Sequence, residues 1–231
     1  MKYFGEGLSE KHKELSSIIR KKGHLNQAKD LFLEIHSNLH SSTISTGPRN
    51  EYDALLEGLK EKEFSIMPTS KDETIAWALW HLARIEDLTM NMLVNEQDQI
   101  FNDYWKQLMN SSISDTGNAL TDEEIMDFSK NLNISSLLEY RDAVGHRTRV
   151  IVSNLAEEDM KRKISQDNIN MILQAGGVTT DKDSIWLLDF WGKKDVAGIL
   201  LMPPTRHMML HINDCCKWKE HIRTKSKYYL Q

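Results

Sequence analysis

Long proline-free segments dominate this sequence. Only four prolines occur in 231 residues, and the segments between them carry apolar residues three and four positions apart more often than alternating ones. That spacing collects apolar side chains on one face of an α-helix. The sequence therefore predicts an all-α fold. Its length and its 40% hydrophobic content predict one domain over residues 1–231.

Four long helices are expected. They run from about Leu25 to Ser42, from Ser70 or Asp72 to about Val94, from Ile134 to Leu155, and from Pro203 to about Arg223. Ser70 followed by Glu73 resembles a capping box at the start of the second helix. Shorter helical pieces fill two long connections, over residues 98–109 and 121–132 in the first and over 168–174, 184–191 and 194–201 in the second. These lengths favour a four-helix bundle whose connections are not all simple hairpins.

The charge and the cysteine content limit the cellular compartment and the binding partners that we expect. The net charge of −5 arises from 34 acidic and 29 basic residues without a long block of either sign, so we expect no binding of nucleic acid. The first 24 residues have no apolar core of a secretory signal, and no apolar run approaches 18 residues. Adjacent Cys215 and Cys216 make a poor disulfide pair. We therefore expect a soluble, cytoplasmic protein without membrane contact.

The sequence contains two pairs of histidines in which the second histidine follows the first by four residues. This spacing places both imidazoles on one helix face, as is required for them to share an ion. His207 and His211 fall, at about 100° per residue, within the stripe formed by Leu210, Asp214, Trp218 and Ile222, and so are predicted to face the interior. The same arithmetic places His36 and His40 on the flank of the apolar face of their helix. That pair is interpreted as a solvated edge.

His81 supplies a third inward imidazole. Thr74, Trp77, Ala78, Ile85, Leu88 and Met92 all lie within about 60° of it around the second helix. Three neutral imidazoles plus water form an open site for zinc or a neighbouring transition metal. The alternative is that each histidine packs in the core with a backbone hydrogen bond.

Other candidate residues surround this predicted site. Arg141 interrupts the apolar stripe of the third helix, where it would bind an anionic substrate group or, alternatively, pair with an acid or extend towards solvent. Asp214, one turn beyond His211, would orient an imidazole or be an ordinary polar neighbour. Cys215 is interpreted as apolar filler rather than a ligand. Tryptophans either line a pocket or pack the core: Trp77, Trp80, Trp186, Trp191 and Trp218.

The segment from Thr74 to Asp87, TIAWALWHLARIED, together with RHMMLH over residues 206–211, resembles the DinB-like superfamily of metalloenzymes. The resemblance covers most of the chain, from about Leu25 to Arg223. It implies an up-down-down-up four-helix bundle, frequent homodimers, and a divalent ion held by His81, His207 and His211. The family's name does not imply DNA binding.

The resemblance leaves the reaction open. Some members of the superfamily resemble transferases or isomerases that depend on a low-molecular-weight thiol. A divalent ion, with zinc or nickel favoured, would either activate water for hydrolysis of a small molecule or bind a thiolate cofactor. The competing hypothesis is a non-catalytic binding or stress-response scaffold with a vestigial or structural histidine site.

Overall fold

The computed structural model describes residues 7–229. Residues 1–6 and 230–231 of the predicted domain lie outside the described residues. The described chain is helical and contains no strand, apart from an isolated β-bridge between Lys163 and Asp195, which confirms the all-α prediction. The α-helices are α1 (Leu8–Ile18), α2 (Leu25–Ser37), α3 (Glu51–Leu56), α4 (Ile75–Asp87), α5 (Asp103–Leu108), α6 (Asp122–Asn131), α7 (Ile134–Asn154), α8 (Gln166–Gln174), α9 (Lys182–Gly192), α10 (Val196–Leu200), α11 (Met208–Thr224) and α12 (Ser226–Tyr229).

Two π-helical segments extend the long helices. Leu88–Val94 continues α4, and Met202–His207 leads into α11. Pro203 and Pro204 lie in the second segment and have no backbone N–H, which removes two of the donors that a regular α-helix would use there. Short 3-10 turns occupy Ser42–Ile44, Glu61–Ser65 and Glu158–Lys161. No helix in the described part of the chain is both long and apolar enough to cross a membrane.

Two predicted helix boundaries are wrong. The capping box at Ser70 does not form, because the side chain of Thr74 accepts the N-terminal hydrogen bond from Trp77 and α4 begins at Ile75. The first predicted helix ends at Ser37 instead of Ser42. There the amide of Asn50 donates to the carbonyls of Ser37 and His40, both at 2.8 Å, and so satisfies groups that further helical turns would have paired.

The α4 helix lies at the centre of the fold. Every residue of α4 and of its π-helical extension is buried, and α4 packs against both α7 and α11, while α2 packs against α7. A helix that is buried all round must satisfy its polar side chains inside the protein. Three charged residues of α4, Arg84, Glu86 and Asp87, are fully buried. The polar sites described below are therefore organised around this helix.

The polar start of the chain also folds, which the sequence did not predict. Leu8, Leu15 and Ile18 give α1 a narrow buried stripe, and α1 packs against α2. Its charged side chains contact neighbours at the surface: the Lys11 ammonium lies 2.5 Å from the Glu34 carboxylate. The imidazole of His12 lies 2.8 Å from the carbonyl oxygen of Leu201. A narrow apolar stripe and these polar contacts together attach an otherwise polar helix.

Removal of the Thr74 hydroxyl is expected to destabilise the protein. This hydroxyl caps α4 and also lies 2.6 Å from the Ser129 hydroxyl in a buried contact. Thr74→Ala should lower the free energy of unfolding by about 1–2 kcal/mol, measured by urea titration. Thr74→Ser keeps the hydroxyl and serves as the matched control. Equal stability of the alanine variant and the wild type would contradict this account of the helix start.

Candidate metal centre

The three histidines predicted as metal ligands lie together. His81 projects from α4, His207 ends the second π-helical segment, and His211 lies one turn later in α11. The Nε2 atoms of His81 and His207 are 3.2 Å apart. The ring of His81 is centred 5.1 Å from the ring of His207 and 5.1 Å from that of His211. Each imidazole offers a nitrogen within 4.8 Å of the others, so one ion can contact all three.

A backbone hydrogen bond fixes the orientation of His81. Its Nδ1 lies 2.8 Å from the carbonyl oxygen of Thr116, to which it must donate a proton. In a neutral imidazole the proton on Nδ1 leaves a lone pair on Nε2, the atom that points towards His207. Histidine ligands of metals are commonly held by such a bond from the second ring nitrogen. His81 is therefore in the tautomer that coordination requires.

The loop between α5 and α6 also holds the indole that covers His81. Trp77 stacks on the His81 ring, with 4.7 Å between centroids and 12° between planes, and its Nε1 donates to the Gly117 carbonyl at 3.0 Å. Gly117 has a φ of +76°, and a Cβ there would lie 2.8 Å from the Trp77 Nε1. A glycine is needed at this position for both reasons. This loop, which joins the two helical pieces of the first long connection, thus shapes the site.

Burial keeps the three imidazoles neutral. It lowers the pKa of His81 to about 3, an effect to which the neighbouring His211 adds. Burial likewise lowers the pKa of His207 well below its ordinary value, with further contributions from His81 and His211. The pKa of His211 is lowered by burial and partly restored by Asp214. At neutral pH all three rings therefore have a lone pair available for an ion.

The arrangement fits a tetrahedral transition metal. Bonds of 2.0–2.1 Å to nitrogen place two ligand atoms about 3.3 Å apart in a tetrahedron, and the observed separation of Nε2 atoms is 3.2 Å. Without an ion, a hydrogen bond between His81 and His207 would satisfy only these two Nε2 atoms. The buried Nδ1 atoms of His207 and His211 have no hydrogen-bond partner among the described residues. Imidazole nitrogens suit zinc, copper, iron and nickel.

A cavity of about 380 Å³ adjoins the three histidines. Its walls are mostly aromatic, with Trp77, Trp186, Phe190 and Trp191 among the lining residues and Asn118 as a polar group. Three of the five tryptophans discussed above therefore line a pocket. Trp80 and Trp218 instead pack elsewhere, with their Nε1 atoms donating to the Asp115 carbonyl and the Asp72 carboxylate. Trp186, Phe190 and Trp191, three of these four aromatic residues, come from α9, which lies in the second long connection.

Leu210 was predicted to share the inward stripe of the last helix, and this is wrong, since it is 45% exposed. The fully packed face of α11 instead carries Met208, Ile212 and Cys215. His207 and His211 are half-buried at the border of that face. This position is what allows them to line a cavity instead of the closed core.

The structure does not bring the two further candidates to the imidazoles. The guanidinium of Arg141 is fully buried away from the cavity, where it donates to the Tyr52 hydroxyl at 3.1 Å and the Leu39 carbonyl at 2.6 Å. The carboxylate of Asp214 pairs with Lys217 at 2.9 Å. Asp214 thus acts on His211 through its charge rather than through a hydrogen bond. Cys215 is buried and free, as expected for apolar filler.

The interpretation of His36 and His40 as a solvated edge is wrong. Both side chains are fully buried, and both contact the buried carboxylate of Glu86 on α4. These residues form a second group whose ligand atoms lie within 4.8 Å of one another. The signals in the sequence were the four-residue spacing of the histidines and the acidic Glu86 within the apolar segment that forms α4.

Comparison with known proteins identifies the family. The sequence pattern of the DinB superfamily matches residues 47–179, which is more than half of the chain and includes His81. No curated protein matches the chain. The matched region spans the whole of α4 and α7, the two helices around which the core is built. The chain belongs to the DinB superfamily.

Proposed function

We propose that this protein is a divalent-metal-dependent enzyme that acts on a small, uncharged, largely apolar molecule. The ion, zinc or nickel, would be held by His81, His207 and His211. The observation that carries the proposal is the convergence of three neutral imidazoles on one aromatic cavity. Convergent polar groups with displaced pKa values beside an apolar cavity are typical of an active site.

The cavity supports the choice of substrate class. Its volume of about 380 Å³ is within the range of small-molecule sites. Among the described residues that line it, none has a permanent charge, and the polar groups are Asn118 and the three histidines. Aromatic walls bind apolar rings and chains by burying their surface. An uncharged substrate would lose little hydration on entry, whereas an anion would lose much more.

The residues around the ion would have separate roles. His81, held by the Thr116 carbonyl, keeps one ligand fixed, and Trp77 shields that imidazole from water. His207 and His211 are half-buried and face the cavity, which leaves the ion open to a substrate. When bound, a divalent ion on three imidazoles supplies Lewis acidity and lowers the pKa of water or of a thiol. Hydrolysis by a metal-bound water and transfer from a low-molecular-weight thiol are the two reactions that this open position would serve.

The experiment starts with elemental analysis of the purified, untagged protein and of a His207→Ala/His211→Ala variant. Zinc- or nickel-loaded protein is then assayed against neutral aromatic esters and amides, and in parallel for addition of small thiols to neutral electrophiles. His81→Gln should abolish the activity found, while His146→Gln, an exposed histidine on α7, should retain it. A folded wild type that takes up no ion at the three histidines would overturn the proposal and favour a binding scaffold.

Further expectations rest on the family. We propose that the long helices form an up-down-down-up four-helix bundle, that residues 1–231 are one domain, and that the protein is a cytoplasmic homodimer. The central position of α4 between α7 and α11 supports a bundle.

A further inference from the structure

A second cluster of potential metal ligands lies on another face of α4. Glu86 follows His81 by five residues, which turns it about 140° around the helix. Its Oε1 lies 2.8 Å from Nε2 of His36, and its Oε2 lies 3.0 Å from Nε2 of His40. His36 lies on α2 and His40 three residues beyond its end, and all three side chains are fully buried. The cluster is therefore closed to solvent and separate from the aromatic cavity.

Hydrogen bonds leave much of this cluster unsatisfied. His36 has hydrogen-bond geometry towards Glu86, but the contact of His40 Nε2 with Glu86 Oε2 does not. The Nδ1 atoms of both histidines also have no partner among the described residues. A buried polar atom without a partner costs about 1–3 kcal/mol. His40 Nε2 and Glu86 Oε2, which lie 3.0 Å apart and are both unsatisfied, therefore point to a missing ligand beside them.

The charges of the cluster favour a cation. Glu86 is an acidic residue in a fully buried position, and its ion-pair contacts among the described residues are with the imidazoles of His36 and His40. Arg141 directs its hydrogen bonds to Tyr52 and Leu39 instead. No lysine or arginine among the described residues is therefore paired with this carboxylate.

The packing around His40 is specific. A Cβ on Gly145 of α7 would lie 2.8 Å from His40 Nδ1 and 3.0 Å from its Cε1. Glycine inside a helix costs about 1 kcal/mol relative to alanine. Here it allows the imidazole to lie against the backbone of α7. Thr148, three residues further along the same helix, has a buried hydroxyl without a partner among the described residues.

We propose that His36, His40 and Glu86 form a second divalent-metal site, of the two-histidine, one-carboxylate type. With bonds of 2.0–2.1 Å, neighbouring ligands of an octahedral ion lie about 2.9 Å apart, which agrees with the separations of 2.8 and 3.0 Å. Imidazole and carboxylate together suit iron(II), manganese(II) or zinc. Because the site is fully enclosed, its role is to stabilise the contact between α2 and α4.

The test counts ions in a protein that lacks the first site. The His207→Ala/His211→Ala variant is loaded with zinc or, without oxygen, iron(II), then dialysed and analysed. About one ion per chain should remain, against about two in the wild type. Glu86→Gln in the same background should remove it, whereas His146→Gln should not. A folded double variant without an ion would overturn the second site even if the wild type holds one at the first site.

X-ray absorption spectroscopy provides a readout that needs no change at the cluster itself. In the His207→Ala/His211→Ala protein the remaining ion should show two imidazoles and carboxylate oxygen. This result would distinguish a bound site from unfolding caused by Glu86→Gln. A spectrum with water ligands only, or with sulfur, would contradict the assignment.

Discussion

Asp87→Ala is expected to lower the free energy of unfolding by about 3–5 kcal/mol. The carboxylate of Asp87 is fully buried in the centre of the fold. Its two oxygens accept hydrogen bonds from Arg84 Nη1, Asn91 Nδ2, the Tyr140 hydroxyl and the backbone N–H groups of Ile100 and Phe101. The alanine variant would leave the fully buried guanidinium of Arg84 without its anion. Such an uncompensated charge costs more than a single hydrogen bond.

Urea titration followed by circular dichroism measures this change. Asp189→Ala is the matched control, since Asp189 is an exposed carboxylate in a surface pair with Lys193 and should be nearly neutral to stability. Asp87→Asn, which keeps the shape but not the charge, should fall between the alanine variant and the wild type. A loss below about 1 kcal/mol in Asp87→Ala would contradict the view that this carboxylate holds α4 to α7.

The metal-free protein is expected to lose stability steeply between pH 7 and pH 5. Burial lowers the pKa of His81 and of His40 to about 3, whereas an unfolded histidine titrates near 6.5. As the pH falls through 6.5 the unfolded chain binds protons that the folded chain does not, so the free energy of unfolding decreases. The two residues together account for about 4 kcal/mol between pH 7 and pH 5. His207 and His211 act in the same direction.

Glu86 contributes in a different range. Its pKa is lowered in the folded state, so its stabilising effect is present above the ordinary value of the carboxyl and is lost only at more acidic pH. Urea titrations with a chelator at pH 7, 6 and 5 test the prediction, and His81→Gln should flatten the pH dependence. Stability that is constant or rises towards pH 5 would contradict the account.

The sequence was sufficient to predict the helices that have one apolar face. The range predicted for α7, Ile134 to Leu155, differs from the structure by one residue. His81, His207 and His211 were predicted to share a site because helical spacing and family resemblance agree, and the structure places them in contact. Their occupation by a metal stays a prediction.

The second cluster was missed because helical arithmetic locates a residue only relative to its own helix. The sequence predicted His36 and His40 on the flank of the apolar face of one helix, with nothing seen to cover that flank, but α2 ends at Ser37 and His40 lies beyond it. In the structure a carboxylate of α4 contacts both imidazoles. An angle around one helix cannot predict which neighbour packs beside it.

The hydrogen bond that orients His81 could not be predicted either. Its acceptor is the backbone carbonyl of Thr116, in a loop whose side chains carry no sign of this role. Loop conformation depends on the surfaces that it contacts, here Trp77 and Trp80. Leu210 was misplaced for a related reason, since helical arithmetic gives its angle relative to His211 but not which neighbours cover that side of α11.

The central claim is that His81, His207 and His211 hold one divalent ion. The most direct measurement is an anomalous difference map from crystals of zinc- or nickel-loaded protein, collected at the absorption edge of the metal. We predict a peak about 2.0–2.2 Å from one nitrogen of each of the three imidazoles. A loaded protein with no peak between these rings, or with its ions bound only elsewhere, would contradict the claim.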